Sequence, residues 1–348
     1  MDRKPLLELS ADELADWCQA RGQLAYRSAQ IRRWIFNRRS ERFEQMTDLP
    51  KSLRDALDTE FSLLTGEVVA HRTAADGTEK LVLRFGEGEE IECVLMRERG
   101  RRTICLSTQV GCAMGCVFCA SGLGGVVRNL TAGEIVEQML RLQLLLGPEE
   151  RLSHVVVMGM GEPLANLENL LRALQAATAK DGLAISERRI TISTVGLPER
   201  IRALADRGGR YHLAVSLHAP NDELRSELVP VSRRLGIDSV LKAADYFFER
   251  TRRQVTFEYV LLGRVNDQPQ HARALGNLLA GRKAHVNLIP FNRVAELPFR
   301  SPTTDDLGTF VRTLQQCGVS VKVRKRKGSR IDAACGQLRR QVQVAARS

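Results

Sequence analysis

Cys112-Ala-Met-Gly-Cys116-Val-Phe-Cys119 sets three cysteines on one short loop with three and then two residues between them. Three thiolates at this spacing hold three irons of a [4Fe–4S] cube and leave the fourth iron open to an outside ligand. A structural zinc ion takes four closed ligands, commonly from two C-x2-C pairs. Here no further His or Cys follows within the loop, so the spacing favours the cluster. The other cysteines are Cys18, Cys93, Cys105, Cys317 and Cys335. Cys18, Cys93 and Cys317 each fall in an apolar helix or strand pattern and read as structural thiols, the usual state of a buried cysteine. A reducing cytoplasm argues against a disulfide framework.

Downstream of the loop the pattern becomes strand–helix alternation. Apolar runs at 154–158, 189–193, 212–217, 255–262, 285–289 and 319–323 are separated by amphipathic stretches such as 134–146 and 167–177. Such alternation predicts an α/β fold with a parallel sheet and crossover helices, open or curled into a barrel. Chemistry in these folds sits on the loops after the strands. The distinctive loops fall there: Gly159-Met-Gly-Glu-Pro163, Thr194-Val-Gly196, His218-Ala-Pro220 and Pro290-Phe-Asn292.

Upstream, the runs 68–69, 81–85, 91–96 and 103–106 read as strands, punctuated by Asp76-Gly77, Gly86-Glu-Gly88 and Gly100. Earlier still, Ser10 and Glu13 have the spacing of a capping box. Ile31, Trp34 and Ile35 recur at helical spacing, and Leu53, Leu57 and Phe61 line a third helix. The organisation expected is a helical accessory domain over 1–64, a β segment over 65–100 and a catalytic core over 101–340.

The chain has 348 residues, with Lys plus Arg at 52 against Asp plus Glu at 41, a formal charge of +11. That bias suits an anionic partner, nucleic acid foremost. The cations fall in scattered blocks at 97–102, 188–189, 250–253 and 322–330, a distribution that tracks a folded phosphate backbone. No run approaches the roughly eighteen apolar residues of a membrane span, and the first nine residues lack the apolar core of a signal peptide. A cytoplasmic monomer with no membrane attachment is expected. Aromatics are only 5% of the chain, so phosphate contacts rather than stacking platforms are expected to carry any nucleic-acid recognition.

A C-x3-C-x2-C loop ahead of an α/β partial barrel resembles the radical S-adenosylmethionine superfamily. The surrounding text is more specific. Cys105-Leu-Ser-Thr-Gln-Val-Gly-Cys112, Phe118-Cys-Ala-Ser121, Arg128-Asn-Leu-Thr131, Gly159-Met-Gly-Glu-Pro-Leu164, Ser216-Leu-His-Ala-Pro-Asn221 and Ile331-Asp-Ala-Ala-Cys-Gly-Gln-Leu338 resemble the bacterial radical S-adenosylmethionine RNA adenine C2 methyltransferases. Gln30-Ile-Arg-Arg-Trp-Ile35 and Phe43-Glu-Gln-Met-Thr-Asp-Leu49 look like that family's N-terminal accessory domain. The resemblance runs over roughly residues 20–338.

What it implies is a partial (β/α)6 barrel carrying a [4Fe–4S] cluster on Cys112, Cys116 and Cys119. Two S-adenosylmethionine molecules serve each turnover. The substrate implied is an adenine in 23S rRNA, and often one in tRNA, with the RNA base taken from a loop or flipped out. A donor such as flavodoxin supplies electrons. The carbon between two ring nitrogens of adenine is electrophilic and carries no acidic hydrogen, so a polar methyl transfer fails there and a radical route makes sense. The resemblance makes Cys335 the methyl carrier, loaded as a thiolate nucleophile. It makes Cys105 the resolving thiol that forms a transient disulfide with Cys335. It makes Glu92 the base that accepts the C2 proton, although a glutamate on a strand is by itself usually a solvated edge residue. Gly161 and Glu162 match the pair that meets the methionine amino group. Ser193, Ser216, Leu217, His218 and Asn292 match further cofactor positions, although a lone His is more often a hydrogen-bonded structural residue.

Three other readings stay open on the sequence. An adenine C8 methyltransferase conferring antibiotic resistance shares the cysteines and the cofactor. A radical enzyme acting on a protein or small molecule needs neither Cys105 nor Cys335. A non-catalytic RNA-binding protein with a structural metal would hold zinc instead of iron and sulfide.

Overall fold

The computed structural model describes residues 3–325, 327–328 and 331–338. Arg326, Arg330 and everything after residue 338 lie outside the described residues, so the basic block at 322–330 is covered only in part.

Ten strands form one sheet in chain order. They are β1 Glu67–Thr73, β2 Glu79–Phe85, β3 Glu89–Glu98, β4 Arg101–Cys105, β5 His154–Val157, β6 Ile190–Thr194, β7 His212–Ser216, β8 Val255–Leu261, β9 Ala284–Pro290 and β10 Ser320–Val323. From β4 to β10 every neighbour is parallel. From β1 to β4 every neighbour is antiparallel. The alternating half follows the expected pattern. The runs expected to form a β segment over 65–100 pair directly into this same sheet, with β4 as the hinge strand that is antiparallel to β3 and parallel to β5. Backbone hydrogen bonds give the physical reason: a hairpin joined to β4 satisfies an edge that would otherwise stand open.

The parallel strands carry two different faces. Ile190, Ile192, Leu213, Val215, Phe257, Tyr259, Val286 and Leu288 are buried in the main core beneath the helices. Their alternate neighbours in register are polar: Thr191 beside His212, Ser216 beside Glu258, and Glu258 beside Asn287. Period-two alternation sends one set outward to the helices and the other inward. Residues at the C-terminal ends of β5 to β10 line one common cleft, so the sheet curls into a partial barrel.

The crossover helices are α4 Ala132–Leu144, α5 Leu167–Thr178, α6 Pro198–Asp206, α7 Asp222–Leu228, α8 Ile237–Thr251, α9 Pro269–Leu279 and α10 Thr304–Gln316, preceded by α1 Ala11–Gln19, α2 Tyr26–Phe36 and α3 Lys51–Glu60. The Ser10–Glu13 capping box forms as read, with Ser10 Oγ accepting from Glu13 N at 3.1 Å and Glu13 Oε2 accepting from Ser10 N at 2.7 Å. Thr131 and Glu134 make a second box at the start of α4. Phe61, expected on the third helix, instead pairs with Lys4 in a two-residue strand. Leu14, Cys18, Ile31, Ile35, Met46, Leu53 and Leu57 join the same apolar core as the barrel. Arg32 Nε holds Asp181 Oδ2 at 2.6 Å and Gln143 Nε2 donates to Phe36 O at 2.9 Å, so the N-terminal helices are docked rather than tethered. Among the described residues no helix is long and apolar enough to cross a membrane.

Candidate active site

The three-cysteine loop is an excursion inside a hairpin. Gln109–Gly111 pairs antiparallel with Val126–Asn129, and Cys112 N donates to Gly125 O at 2.9 Å. Gly111 has φ +80°, and a Cβ there would meet Gly125 O at 2.0 Å, so only glycine closes the neck of the loop. Cys119 N donates to Cys116 O at 3.1 Å, which turns the three thiols toward the cleft. All three line it together with Phe118.

The donor set fits a cationic cluster. Burial pushes the Cys112 thiol up to about 11, and burial likewise raises Cys116 and Cys119. Ionised, Cys112 and Cys119 repel each other, and both repel Cys116. Arg225 opposes that rise only at Cys116. Three buried thiols that disfavour their own thiolates are stabilised as thiolates by bound iron, since a coordinating metal deprotonates a thiol outright. Among the described residues no three His, Cys, Asp or Glu side chains surround a single ion position. The fit therefore rests on the chemistry of the three thiols and not on preformed coordination.

Around these thiols a cleft opens at the strand ends, the kind of concave place where small ligands bind. Gly161, Glu162, Ser193, Ser216, His218 and Asn292 line it, as the motifs predict. Leu217 does not: its side chain is fully buried in the core on the helix side of the sheet, because it follows Ser216 by one residue and points the other way. Only its backbone is available, and its N–H already donates to Glu258 O at 3.0 Å. Gly161 has φ +101°, and a Cβ there would lie 2.6 Å from Gln109, so the loop passes against its neighbour where no side chain fits. Glu162 is buried with both oxygens engaged, Oε1 accepting from Leu164 N at 3.0 Å and Oε2 from Val195 N at 2.8 Å. Burial pushes it up to about 7 against those donors.

His218 has φ +61° in the left-handed region, an uncommon state for a non-glycine residue that marks functional loops. Val260 N donates to its Nδ1 at 3.1 Å, which assigns the proton to Nε2. Burial first, and then Arg225, pull its pKa down to about 3. The ring is thus a neutral donor facing the cleft, edge-on to Phe118 at 4.8 Å between centroids. Asn292 Nδ2 donates to Cys335 O at 3.1 Å, while its buried Oδ1 has no partner among the described residues. An acceptor left open in a cleft is a place where a ligand's hydroxyl or amine belongs.

The Cys335 segment closes one side of the cleft. Ala120 N, next to Cys119, donates to Gly336 O at 2.8 Å, and Ser121 Oγ donates to Leu338 O. Gln337 Nε2 donates to Arg293 O at 2.9 Å. Cys335 thus lines the same cleft as the three loop cysteines and shares a second, smaller cavity with Cys105. Burial pushes the Cys105 thiol up to about 12, with Cys335 adding to the rise and Arg324 opposing it. Arg324 faces both sulfurs and Glu258; Cys335 most of all, then Glu258 and Cys105, hold it in its charged form against burial.

Glu92 is 1% exposed on β3. The alternative weighed against its role as a base, a solvated glutamate on an edge strand, does not hold, because β3 lies between β2 and β4 and both of its faces are covered. Val94 pairs with Cys105 across the β3–β4 ladder, so Glu92, two residues along, shares Cys105's face. Lys80 Nζ holds Glu92 Oε1 at 2.7 Å.

Sequence reasoning missed Lys80, Arg324 and Arg225. Lys80 is a single basic residue in strand-like text with nothing to mark it, and Arg324 stands within the basic block at 322–330, which reads as phosphate-binding rather than as part of the site. Arg225 sits in a helix that looks solvent-facing, yet it is 1% exposed. Its guanidinium donates to Leu217 O and Leu235 O, each at 3.2 Å, and to Val195 O, tying three loops of the barrel mouth. Arg225→Leu should leave those carbonyls without donors and lower unfolding stability by about 3 kcal/mol; chemical denaturation with unchanged m-value reads this directly.

Comparison with known proteins follows the same outline. A family model described as the Radical SAM superfamily matches residues 106–275, and one described as the ribosomal RNA large subunit methyltransferase N-terminal domain matches residues 4–63. The chain is 58% identical over 335 residues to a probable dual-specificity RNA methyltransferase RlmN of Rhodopirellula baltica, covering 96% of this chain and 90% of that protein. It is 43% identical to the like-named protein of Bacillus subtilis over 97% of this chain and 93% of the other. A crystal structure of a radical SAM methyltransferase from Sphaerobacter thermophilus superposes with a TM-score of 0.93 at 42% identity, covering 96% of this chain and 99% of that one.

Proposed function

Because this chain belongs to the family of dual-specificity RNA methyltransferases, radical S-adenosylmethionine enzymes with a [4Fe–4S] cluster, we propose that it methylates C2 of one adenine in 23S rRNA and of one in tRNA. The observation that supports this reading most is the meeting of Cys335 with the three-cysteine loop on one side and Cys105 on the other. A radical enzyme acting without a protein-bound methyl has no use for that pair.

In this reading Cys112, Cys116 and Cys119 hold the cluster. Gly161 and Glu162 receive the methionine amino group. Ser193, Ser216, His218, Asn292 and the backbone of Leu217 hold the rest of the cofactor. When bound, cluster and cofactor supply a methyl group to sulfur and a hydrogen-abstracting radical. The chain's own part is to carry and release that carbon. Cys335 sulfur takes the methyl as a nucleophile, with Arg324 facing its thiolate. Its carbon, having lost one hydrogen atom to that radical, then bonds to adenine C2; the carboxylate of Glu92 takes the C2 proton, and the one electron left over would pass back to the bound cluster. Cys105 sulfur attacks Cys335 sulfur. The carbon–sulfur bond breaks, the freed carbon takes a proton to become the methyl group, and a Cys105–Cys335 disulfide remains for the cell to reduce.

The RNA is held by phosphate contacts from the basic blocks and the helices of residues 4–63. The enzyme works as a cytoplasmic monomer and draws its electrons from a flavodoxin-like donor.

Peptide mass spectrometry of the anaerobically purified protein tests the carrier role. A methyl group is expected on Cys335 of the wild type and absent from Cys112→Ala, which lacks a cluster ligand. Mapping the methylated carbon of the RNA product then separates C2 from C8. An unmethylated Cys335 in cofactor-replete, cluster-loaded protein would sink the mechanism.

A further inference from the structure

Lys80 and Glu92 form an ion pair in which both side chains are almost fully buried, 2% and 1% exposed, with Nζ 2.7 Å from Oε1. The same ammonium donates to Asp332 O at 3.1 Å, three residues before Cys335. The register explains how one lysine reaches both. Lys80 pairs with Val94 on β3, and Val94 pairs with Cys105 on β4. Side chains directly opposite share a face, so Lys80, Glu92 and Cys105 look into the same space.

A second tether runs beside it. Gly328 N donates to Asp76 Oδ2 at 3.1 Å in the β1–β2 turn. Gly328 also packs so close to Thr78 that an added Cβ would lie 2.8 Å away. The Cys335 segment is therefore seated on β2 and on the turn that precedes it, and the point on β2 is the partner of the carboxylate that faces Cys105.

Stability does not account for the pair. Two buried charges are often replaced by apolar residues without loss, whereas removing one partner leaves the other uncompensated. Losing an ammonium at hydrogen-bond distance shifts a buried carboxylate toward its neutral, protonated form, which cannot accept a proton.

We propose that Lys80 is a positioning residue that keeps Glu92 an ionised proton acceptor and seats the Cys335 segment against it, so that base and methyl carrier come into register together. This rests on the role given to Glu92 above. Lys80 acts through Glu92 and through Asp332.

The test uses the full-length, cluster-loaded protein with unmodified 23S rRNA transcribed in vitro and S-adenosylmethionine under reducing conditions. Wild type, Glu92→Gln, Lys80→Met and Lys80→Arg are compared. Three quantities are read: methyl occupancy of Cys335, methylated RNA released, and the fraction of protein covalently joined to RNA on a denaturing gel. Lys80→Met should load Cys335 as the wild type does, release product about 100-fold more slowly, the scale of a lost general base, and accumulate the protein–RNA adduct to the level of Glu92→Gln. Lys80→Arg, which keeps the charge and the donors, should recover at least a tenth of wild-type release without the adduct. A merely structural lysine would lower methyl occupancy and product together without adduct, and that result overturns the proposal, as does wild-type release from Lys80→Met. If Lys80→Met gives no adduct while Glu92→Gln does, the proposal fails and the Glu92 reading stands. If Glu92→Gln gives no adduct, both fail.

Discussion

Cys105→Ala is expected to arrest the enzyme on its substrate. The methyl group should still be found on Cys335, because loading needs only the Cys335 sulfur and the cleft it lines. The first turnover should then join protein to RNA and go no further, since nothing remains to attack the Cys335 sulfur. Cys105 is the only thiol besides the loop cysteines that the structure sets beside Cys335 among the described residues; the two share a cavity with Met96 and Arg324. Cys18 and Cys317 lie elsewhere, and Cys93 faces the opposite side of β3 from Glu92, because adjacent strand residues alternate. Burial holds the Cys105 thiol at about 12, so it stays protonated near neutral pH until the reaction draws on it. Its attack on the Cys335 sulfur needs the adenine-bound carbon as leaving group, so Cys105 acts only after the carbon–carbon bond has formed. Released product should fall by roughly 10³-fold or more, as for the loss of a group that acts as part of a unit. Cys105→Ser should behave the same way, because an oxygen at that position cannot form the sulfur–sulfur bond. A denaturing gel with labelled RNA checks the result; free methylated RNA appearing at the wild-type rate would remove Cys105 from the mechanism.

Cys335→Ala carries the second large effect, and of a different kind. Product should fall by on the order of 10⁴-fold, again because nucleophile loss removes the whole relay, but no protein–RNA adduct should form. The contrast between the two variants is the informative result: one stalls after the carbon–carbon bond, the other before it. Folding should survive, since the segment is held by backbone and neighbouring groups rather than by the thiol. Gly336 O, Leu338 O, Cys335 O and Gln337 Nε2 all make their bonds without Cys335 Sγ. The cluster should also survive, so iron and sulfide content measured on Cys335→Ala is expected to match the wild type. Loss of iron from this variant would mean that Cys335 supports the cluster, and its role would have to be redrawn.

Much of this was legible in the chain itself. The spacing of Cys112, Cys116 and Cys119 announces a cluster because loop length alone brings the thiols together. Strand–helix alternation announces the barrel, because apolar periodicity records which face each element buries. The Ser10–Glu13 box and the loops after β5, β6, β7 and β9 were equally local. Leu217 shows the limit of carrying a motif over residue by residue: it belongs to the string Ser216-Leu217-His218, yet its side chain turns into the core while its neighbours face the cleft. Glu92 shows the limit of pattern: a charge on a strand reads as solvated until the strand is known to lie inside the sheet, beneath the segment that carries Cys335.

The sequence by itself determined the chemistry that short segments can hold: three thiols for a cluster, glycines where the backbone must pass closely, alternating apolar runs for a parallel barrel. Only the tertiary structure decided what stands beside what across long separations. Lys80 reaches both Glu92 and the carbonyl of Asp332, which is 252 positions away. Arg225 gathers carbonyls from three loops, and Arg324 shares a cavity with two cysteines that the chain keeps far apart. These contacts depend on strand register and on how far the sheet curls. Both are set by the packing of the whole core, and no single stretch of residues encodes them.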